Sequence, residues 1–154
     1  CFTKNITNKF MIYISHRGYV DGEDKKLENN PEQILKLLDK NIHVEVDVRY
    51  FNKNFYLGHD RPEFKTDKKF LEHQNLWCHA KDSNSLNEIR NLNCHYFWHQ
   101  NDDYTLTSKG FIWVYPGKPL LKNCIAVLPQ DDNLNLSMCY GICTDNIKKY
   151  CNNI

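Results

Sequence analysis

Eight consecutive residues, Ile42-His43-Val44-Glu45-Val46-Asp47-Val48-Arg49, alternate strictly between polar and apolar. A strand turns successive side chains to opposite faces, so His43, Glu45, Asp47 and Arg49 share one face while Ile42, Val44, Val46 and Val48 share the other. In an antiparallel sheet the polar face would meet solvent. In a parallel barrel the apolar face packs against outer helices and the polar face points inward, its last residues reaching the active-site mouth.

The rest of the chain decides which setting to expect. Short apolar segments recur at 10–15, 42–50, 76–80, 94–99, 111–115, 124–128 and 140–144, with lengths that fit strands. Between the first two, Asn30-Pro31-Glu32-Gln33 followed by Ile34, Leu35, Leu37 and Leu38 spells an N-cap, a proline at the first helical position and a helical apolar stripe. A short helix is predicted from about Asp67 through Phe70 and Leu71. Another starts near Ser83 or Asn84 and carries Leu86, Ile89 and Leu92 on one face. Strand-helix-strand order argues for parallel pairing. After His99 the gaps barely meet the dozen or so residues a helical crossover requires, so full helices are not expected there. The segment 49–57 reads as a hairpin with an Asn52-Lys53-Asn54 turn that returns the chain to Gly58-His59.

Chemistry gathers where these strands end. Ser15-His16-Arg17-Gly18 closes the first, Gly58-His59-Asp60 closes the hairpin, and His79-Ala80-Lys81 closes the third. Two histidines, two carboxylates, a further metal ligand and two cations would then meet at one rim.

These motifs resemble the glycerophosphodiester phosphodiesterases, within the wider superfamily of phosphatidylinositol-phospholipase-like barrels. His16-Arg17-Gly18, Leu27-Glu28-Asn29-Asn30, Glu45-Val46-Asp47 and His59-Asp60 stand in that family's order and near its spacing. The likeness is dense over about 12–81, and Gly141-Ile142-Cys143-Thr144-Asp145 looks like its last strand. Two positions depart from it. Leu27 and Asn30 replace Pro and Thr of Pro-Glu-Asn-Thr, and His79-Ala80-Lys81 replaces Glu-x-Lys.

The resemblance implies a compact, helix-depleted TIM-like (β/α) barrel of seven or eight mainly parallel strands, with a hairpin after the second. It implies a metal-dependent phosphodiesterase acting on a glycerophosphodiester or a related polyol or sugar phosphate diester. Glu45, Asp47 and His79 would hold one divalent ion: magnesium, calcium or manganese, with zinc or iron admitted by the imidazole. His16 and His59 would divide the general acid and base work, and Arg17 and Lys81 would clamp the phosphate. Neither histidine need be a nucleophile where a neighbouring hydroxyl of the substrate attacks first and gives a cyclic phosphate. Glu28 and Asn29 are expected beside the metal, while Trp98, His99, Trp113 and Asp145 would line the pocket for the alcohol.

Two other functions fit the same residues. One is a non-catalytic module binding a phosphorylated sugar or lipid head group, against which the retained His16 and His59 argue. The other is a metal-dependent hydrolase or lyase of a phosphosphingolipid or glycan-linked diester, with His79 marking a different metal.

Composition narrows the partners. Twenty Lys and Arg against 19 Asp and Glu give a net charge of +1, which supplies no global field to attract nucleic acid. The longest apolar runs, 10–14 and 124–128, fall far short of the roughly 20 residues a membrane span needs, so no stable insertion is expected. No basic region followed by an apolar core stands behind Cys1 to mark a signal peptide, so the expected location is the cytoplasm. The seven cysteines are expected to be thiols, and Cys139-x3-Cys143 lacks the second pair of a zinc site. One domain is expected over 1–154, yet a (β/α)8 barrel usually takes about 250 residues. The saving must come from helices lost after about residue 94, which would expose apolar surface and favour a homodimer or another partner over the helix-poor side.

Overall fold

The alternating segment becomes the nine-residue strand β3 (His43–Phe51), which joins the separate parts of the sheet. A computed structural model describes residues 2–4, 10–130 and 134–151. Around β3 its other strands are β1 (Phe2–Lys4), β2 (Phe10–His16), β4 (Asn54–Leu57), β5 (Phe64–Thr66), β6 (Leu76–Ala80), β7 (Tyr96–Trp98), β8 (Tyr104–Leu106), β9 (Ile112–Val114), β10 (Ile125–Val127) and β11 (Gly141–Thr144).

One edge of β3 pairs in parallel with β2 over His43 to Glu45 and then antiparallel with β4 from Val48 onward. Its other edge pairs in parallel with β6 over Val44 to Val48. Parallel ladders continue from β2 through β11 and β10 to β9, and from β6 to β7. The pairs β1–β2, β3–β4, β4–β5 and β8–β9 are antiparallel. Asn52 and Lys53 turn the β3–β4 hairpin with φ of 47° and 61°, the two left-handed residues that match strand twist.

Three α-helices are found among the described residues: α1 (Pro31–Asp39), α2 (Lys68–Leu71) and α3 (Ser83–Ile89). The side chain of Asn30 accepts from Glu32 N and Gln33 N, and Pro31 occupies a position where no amide is needed, so α1 starts where its sequence says it should. Asp67 caps α2, and Asp82 with Ser85 forms a capping box on α3.

The strand alternation builds two cores. Val44, Val46 and Val48 pack with Leu76, Cys78 and Ala80, with Ile34 and Leu37 of α1, and with Ile89 of α3. On the opposite face lie Ile12, Ile14, Trp77, Phe97, Trp113, Ile125, Val127 and Cys143.

The expectation of a TIM-like (β/α) barrel of mainly parallel strands is overturned. The chain is a mixed, mostly strand half-barrel with few helices, in which β8 runs against β9, β4 runs against β3 and β5 runs against β4. Its cause is local. The connections from β7 to β8 and from β8 to β9 are too short for helical crossovers, and the chain instead turns back from β8 into β9 as an antiparallel pair. The sheet path outside β7 and β8 is a ladder; between these two, Ser108 N donates to Tyr96 O (2.8 Å) and the Thr105 hydroxyl donates to Trp98 O (2.8 Å). The six described cysteines are buried thiols, and Cys1 lies outside the described residues. No helix of the described residues is long and apolar enough to cross a membrane.

Two imidazoles, a half-buried His43 and a buried His95, lie away from the strand C-termini. Trp77 Nε1 donates to His43 Nδ1 (3.1 Å), and His95 Nε2 meets the Thr107 hydroxyl at 2.7 Å. Burial holds both neutral, lowering His43 to about 4 and His95 to about 3 from an ordinary 6.5. With folded values below unfolded ones, their contribution is complete above about pH 6.5 and drains away as pH falls toward 3. Thermal unfolding followed by circular dichroism should therefore show a falling Tm between pH 7 and 4.5, with a shallower fall in His95→Gln. Equal slopes in the two proteins would contradict this assignment.

Candidate functional site

The C-terminal ends of β2 and β6, Glu45 of β3, and the residues at the C-terminal ends of β7, β9 and β10 meet around a cleft of about 370 Å³. His16, Arg17, Glu45, His59, His79 and Lys81 line its polar side, while His99, Trp113 and Tyr115 line the opposite side.

Asp47 lies at the base of this polar side with no exposed surface. Arg17 Nε approaches its Oδ2 at 3.1 Å and Lys81 Nζ its Oδ1 at 3.5 Å. Asn29 closes a reciprocal pair, its Nδ2 donating to Asp47 Oδ2 and its Oδ1 accepting from Asp47 N, both at 2.9 Å. Burial pushes the Asp47 carboxyl up, but Arg17, Lys81 and His79 outweigh it and hold it below the usual carboxylate range. Arg17 and Asn29 adopt φ of 53° and 54°, a left-handed conformation uncommon outside glycine, so the loops that carry them are bent to reach this carboxylate. Behind Arg17, Glu28 accepts from Tyr19 and from Lys25 (2.7 Å) and pairs with Arg17 at 3.5 Å.

Glu45, Asp47 and His79 offer three ligand atoms that lie within 4.8 Å of one another. His79 Nε2 donates to His99 O at 3.0 Å, and its ring stacks on Phe97 at 4.8 Å. The proton on Nε2 leaves Nδ1 as a lone pair facing Asp47 Oδ1 (3.5 Å) and Glu45 Oε1 (3.6 Å). Those separations exceed the roughly 2.7–2.9 Å of a charge-assisted hydrogen bond. They suit donors each about 2.1 Å from a shared ion. Asp47 Oδ1 is also buried without a hydrogen-bond partner. Three convergent acceptors, one of them orphaned, fit a divalent cation.

His16 is backed by a carboxylate from the far end of the chain, Nδ1 lying 2.6 Å from Asp145 Oδ1 and Nε2 3.8 Å from Glu45 Oε2. Burial lowers its pKa, but Asp145 and Glu45 more than offset this and the net direction is upward. His59 Nδ1 lies 2.6 Å from Asp60 Oδ1. Arg49 fixes the backbone beneath it, donating to Gly58 O (3.1 Å) and to His59 O. Gly58, with φ of 146°, admits no side chain, because a Cβ there would meet Arg61 O at 2.1 Å.

The cleft thus gathers His16, Arg17, Glu45, His59, His79 and Lys81, with Asp47 buried beneath Arg17, His79 and Lys81. Asp145 is present, but as the partner of His16 rather than as a pocket wall. Glu28 sits behind Arg17, and Asn29 holds Asp47 instead of facing the cleft. Trp98, His99 and Trp113 all line the cleft, where Trp113 also packs between Phe97 and Trp77 and Trp98 against the outer core. Arg49 and Asp60 support the site beyond the residues expected to form it, and both lie inside the motifs that carry the polar rim. Tyr115, at the strand end that carries Trp113, lines the cleft as well.

Comparison with protein-family models, curated proteins and solved structures gives no match. A direct check on the metal site is thermal unfolding with added manganese. An ion held by the folded chain alone raises stability by about 2.7 kcal/mol at 100 times its Kd. The Tm should rise with manganese in the native chain, and the rise should vanish in Glu45→Gln; a Tm indifferent to manganese would contradict the site.

Proposed function

We propose that the chain is a metal-dependent phosphodiesterase that cleaves a glycerophosphodiester or a related polyol or sugar phosphate diester. The observation that carries this is the meeting, at one cleft, of three convergent metal ligands, two cations and two carboxylate-backed imidazoles. The order of His16-Arg17-Gly18, Glu45-Val46-Asp47 and His59-Asp60, similar to that of the glycerophosphodiester phosphodiesterases, supports the same reading.

Charge supports it as well. Glu28 is balanced by Lys25, and the carboxylates of Glu45, Asp47, Asp60 and Asp145 outnumber the cations Arg17 and Lys81. A divalent ion would shift this balance toward the positive charge that favours a phosphodiester. Glu45, Asp47 and His79 are the residues that would hold it, and when bound it would polarise a nonbridging oxygen and offset the charge that grows in displacement.

The chain's own groups supply the remaining steps. Arg17 and Lys81 orient the phosphate, Arg17 with a fixed fork and Lys81 as a point charge. One of His16 and His59 takes the proton of the attacking hydroxyl, from water or from the substrate itself, as its oxygen bonds to phosphorus. The other protonates the leaving oxygen as the second P–O bond breaks. Asp145 and Asp60 each hold an Nδ1 proton, which presents Nε2 to the cleft.

Hydrolysis of bis(4-nitrophenyl) phosphate with manganese or magnesium tests this. Chelator should abolish the rate, and His16→Ala or His59→Ala should each lower kcat by about 10²–10⁴. Unchanged activity in both variants would refute the mechanism, and no hydrolysis with any divalent ion would refute the function.

A further inference from the structure

A second cavity, of about 500 Å³, adjoins the cleft and takes no part in the chemistry described above. It lies on the outer face of β9 and β10, where Val114 and Ala126 belong to the face that α1 and α3 cover elsewhere. Pro119, Leu120, Pro129, Leu134 and Met138 add to its apolar lining. Of eight large hydrophobic side chains exposed among the described residues, Tyr115, Leu134 and Met138 line this one groove. Among the described residues its only basic side chain is Lys118, whose ammonium is already paired with Asp103 at 2.8 Å. An anion therefore gains little there, and an uncharged apolar group gains most.

The groove is not an isolated patch. Tyr115 and Val127 line both it and the catalytic cleft, so a molecule with its phosphate at the rim meets the groove on crossing that boundary. Its volume falls in the range of about 300–1,000 Å³ typical of small-molecule sites. We infer that the substrate is an amphiphilic phosphodiester, an inference that rests on the phosphodiesterase reading. One ester arm is a polar alcohol seated in the cleft, and the other carries a single alkyl or acyl chain that passes Tyr115 and Val127 into the groove. The soluble polyol diester expected from sequence thus acquires an apolar arm.

The test compares methyl 4-nitrophenyl phosphate with octyl 4-nitrophenyl phosphate, both monomeric below the micellar concentration, with manganese present. In each, water bonds to phosphorus and its proton passes to an imidazole. The P–O(aryl) pair leaves as 4-nitrophenolate, and methyl or octyl phosphate remains. Burial gains roughly threefold to fourfold per methylene, so the octyl ester should exceed the methyl ester by at least about 100-fold in kcat/KM, carried mainly by KM. Met138→Asp should reduce that ratio below about 10-fold, and because the ratio is taken within one protein it is insensitive to loss of folded material. Hydrolysis of both esters with equal kcat/KM overturns the apolar arm and leaves the phosphodiesterase reading standing, whereas hydrolysis of neither overturns both. An octyl preference that persists undiminished in Met138→Asp overturns the groove as its source.

Discussion

The carboxylate of Asp47 has no exposed surface, and removing an ionised carboxylate from water costs several kcal/mol unless partners restore what water supplied. Here they come from three separate stretches: Arg17 after β2, Asn29 before α1, and His79 and Lys81 at and just after the end of β6, around a carboxylate that β3 carries. One buried charge therefore ties the two parallel neighbours of β3 and the loop between β2 and α1 to a single point. The left-handed conformations of Arg17 and Asn29 follow from the same demand, since each places a donor against a carboxylate that cannot be reached by solvent. Conformations of this kind cost on the order of 1–3 kcal/mol each and persist where surroundings over-determine them.

The two halves of the chain are covered differently. Around β3 and β6, helices α1 and α3 seal the outer face with Ile34, Leu37 and Ile89. Around β9 and β10, loops do this work incompletely and leave the apolar groove beside Tyr115. The chemistry sits on the well-covered half, where a metal triad and its supports are held by long, fully paired strands. Substrate contacts beyond the phosphate fall to the half built from three-residue strands and loops, where the sequence has more freedom to vary shape.

Much of the site is legible from local pattern. The alternation over Ile42–Arg49 predicts that Glu45 and Asp47 share a face away from Val44 and Val46, and they do so because a long central strand keeps register. Asn30-Pro31 and Asn52-Lys53 mark a helix start and a hairpin turn through their own backbone preferences. Pairing direction is a different matter. The parallel pattern of the first half does not extend to β8, because three residues such as Tyr104-Thr105-Leu106 carry too little periodicity to announce an antiparallel strand. The barrel expectation fails for that reason, and strands β1 and β5 escape notice for the same one. The union of His16 with Asp145, 129 residues apart, has no local signature at all.

The central claim is that Glu45, Asp47 and His79 are ligands of one ion rather than a mutual ion-pair cluster. Anomalous diffraction at the manganese edge, from crystals grown with manganese, tests it directly. A single peak within about 2.3 Å of an oxygen of Glu45, an oxygen of Asp47 and Nδ1 of His79 is the predicted result. A cleft without such a peak, with Lys81 or a protonated His79 in hydrogen-bond contact with Asp47 Oδ1, would contradict it.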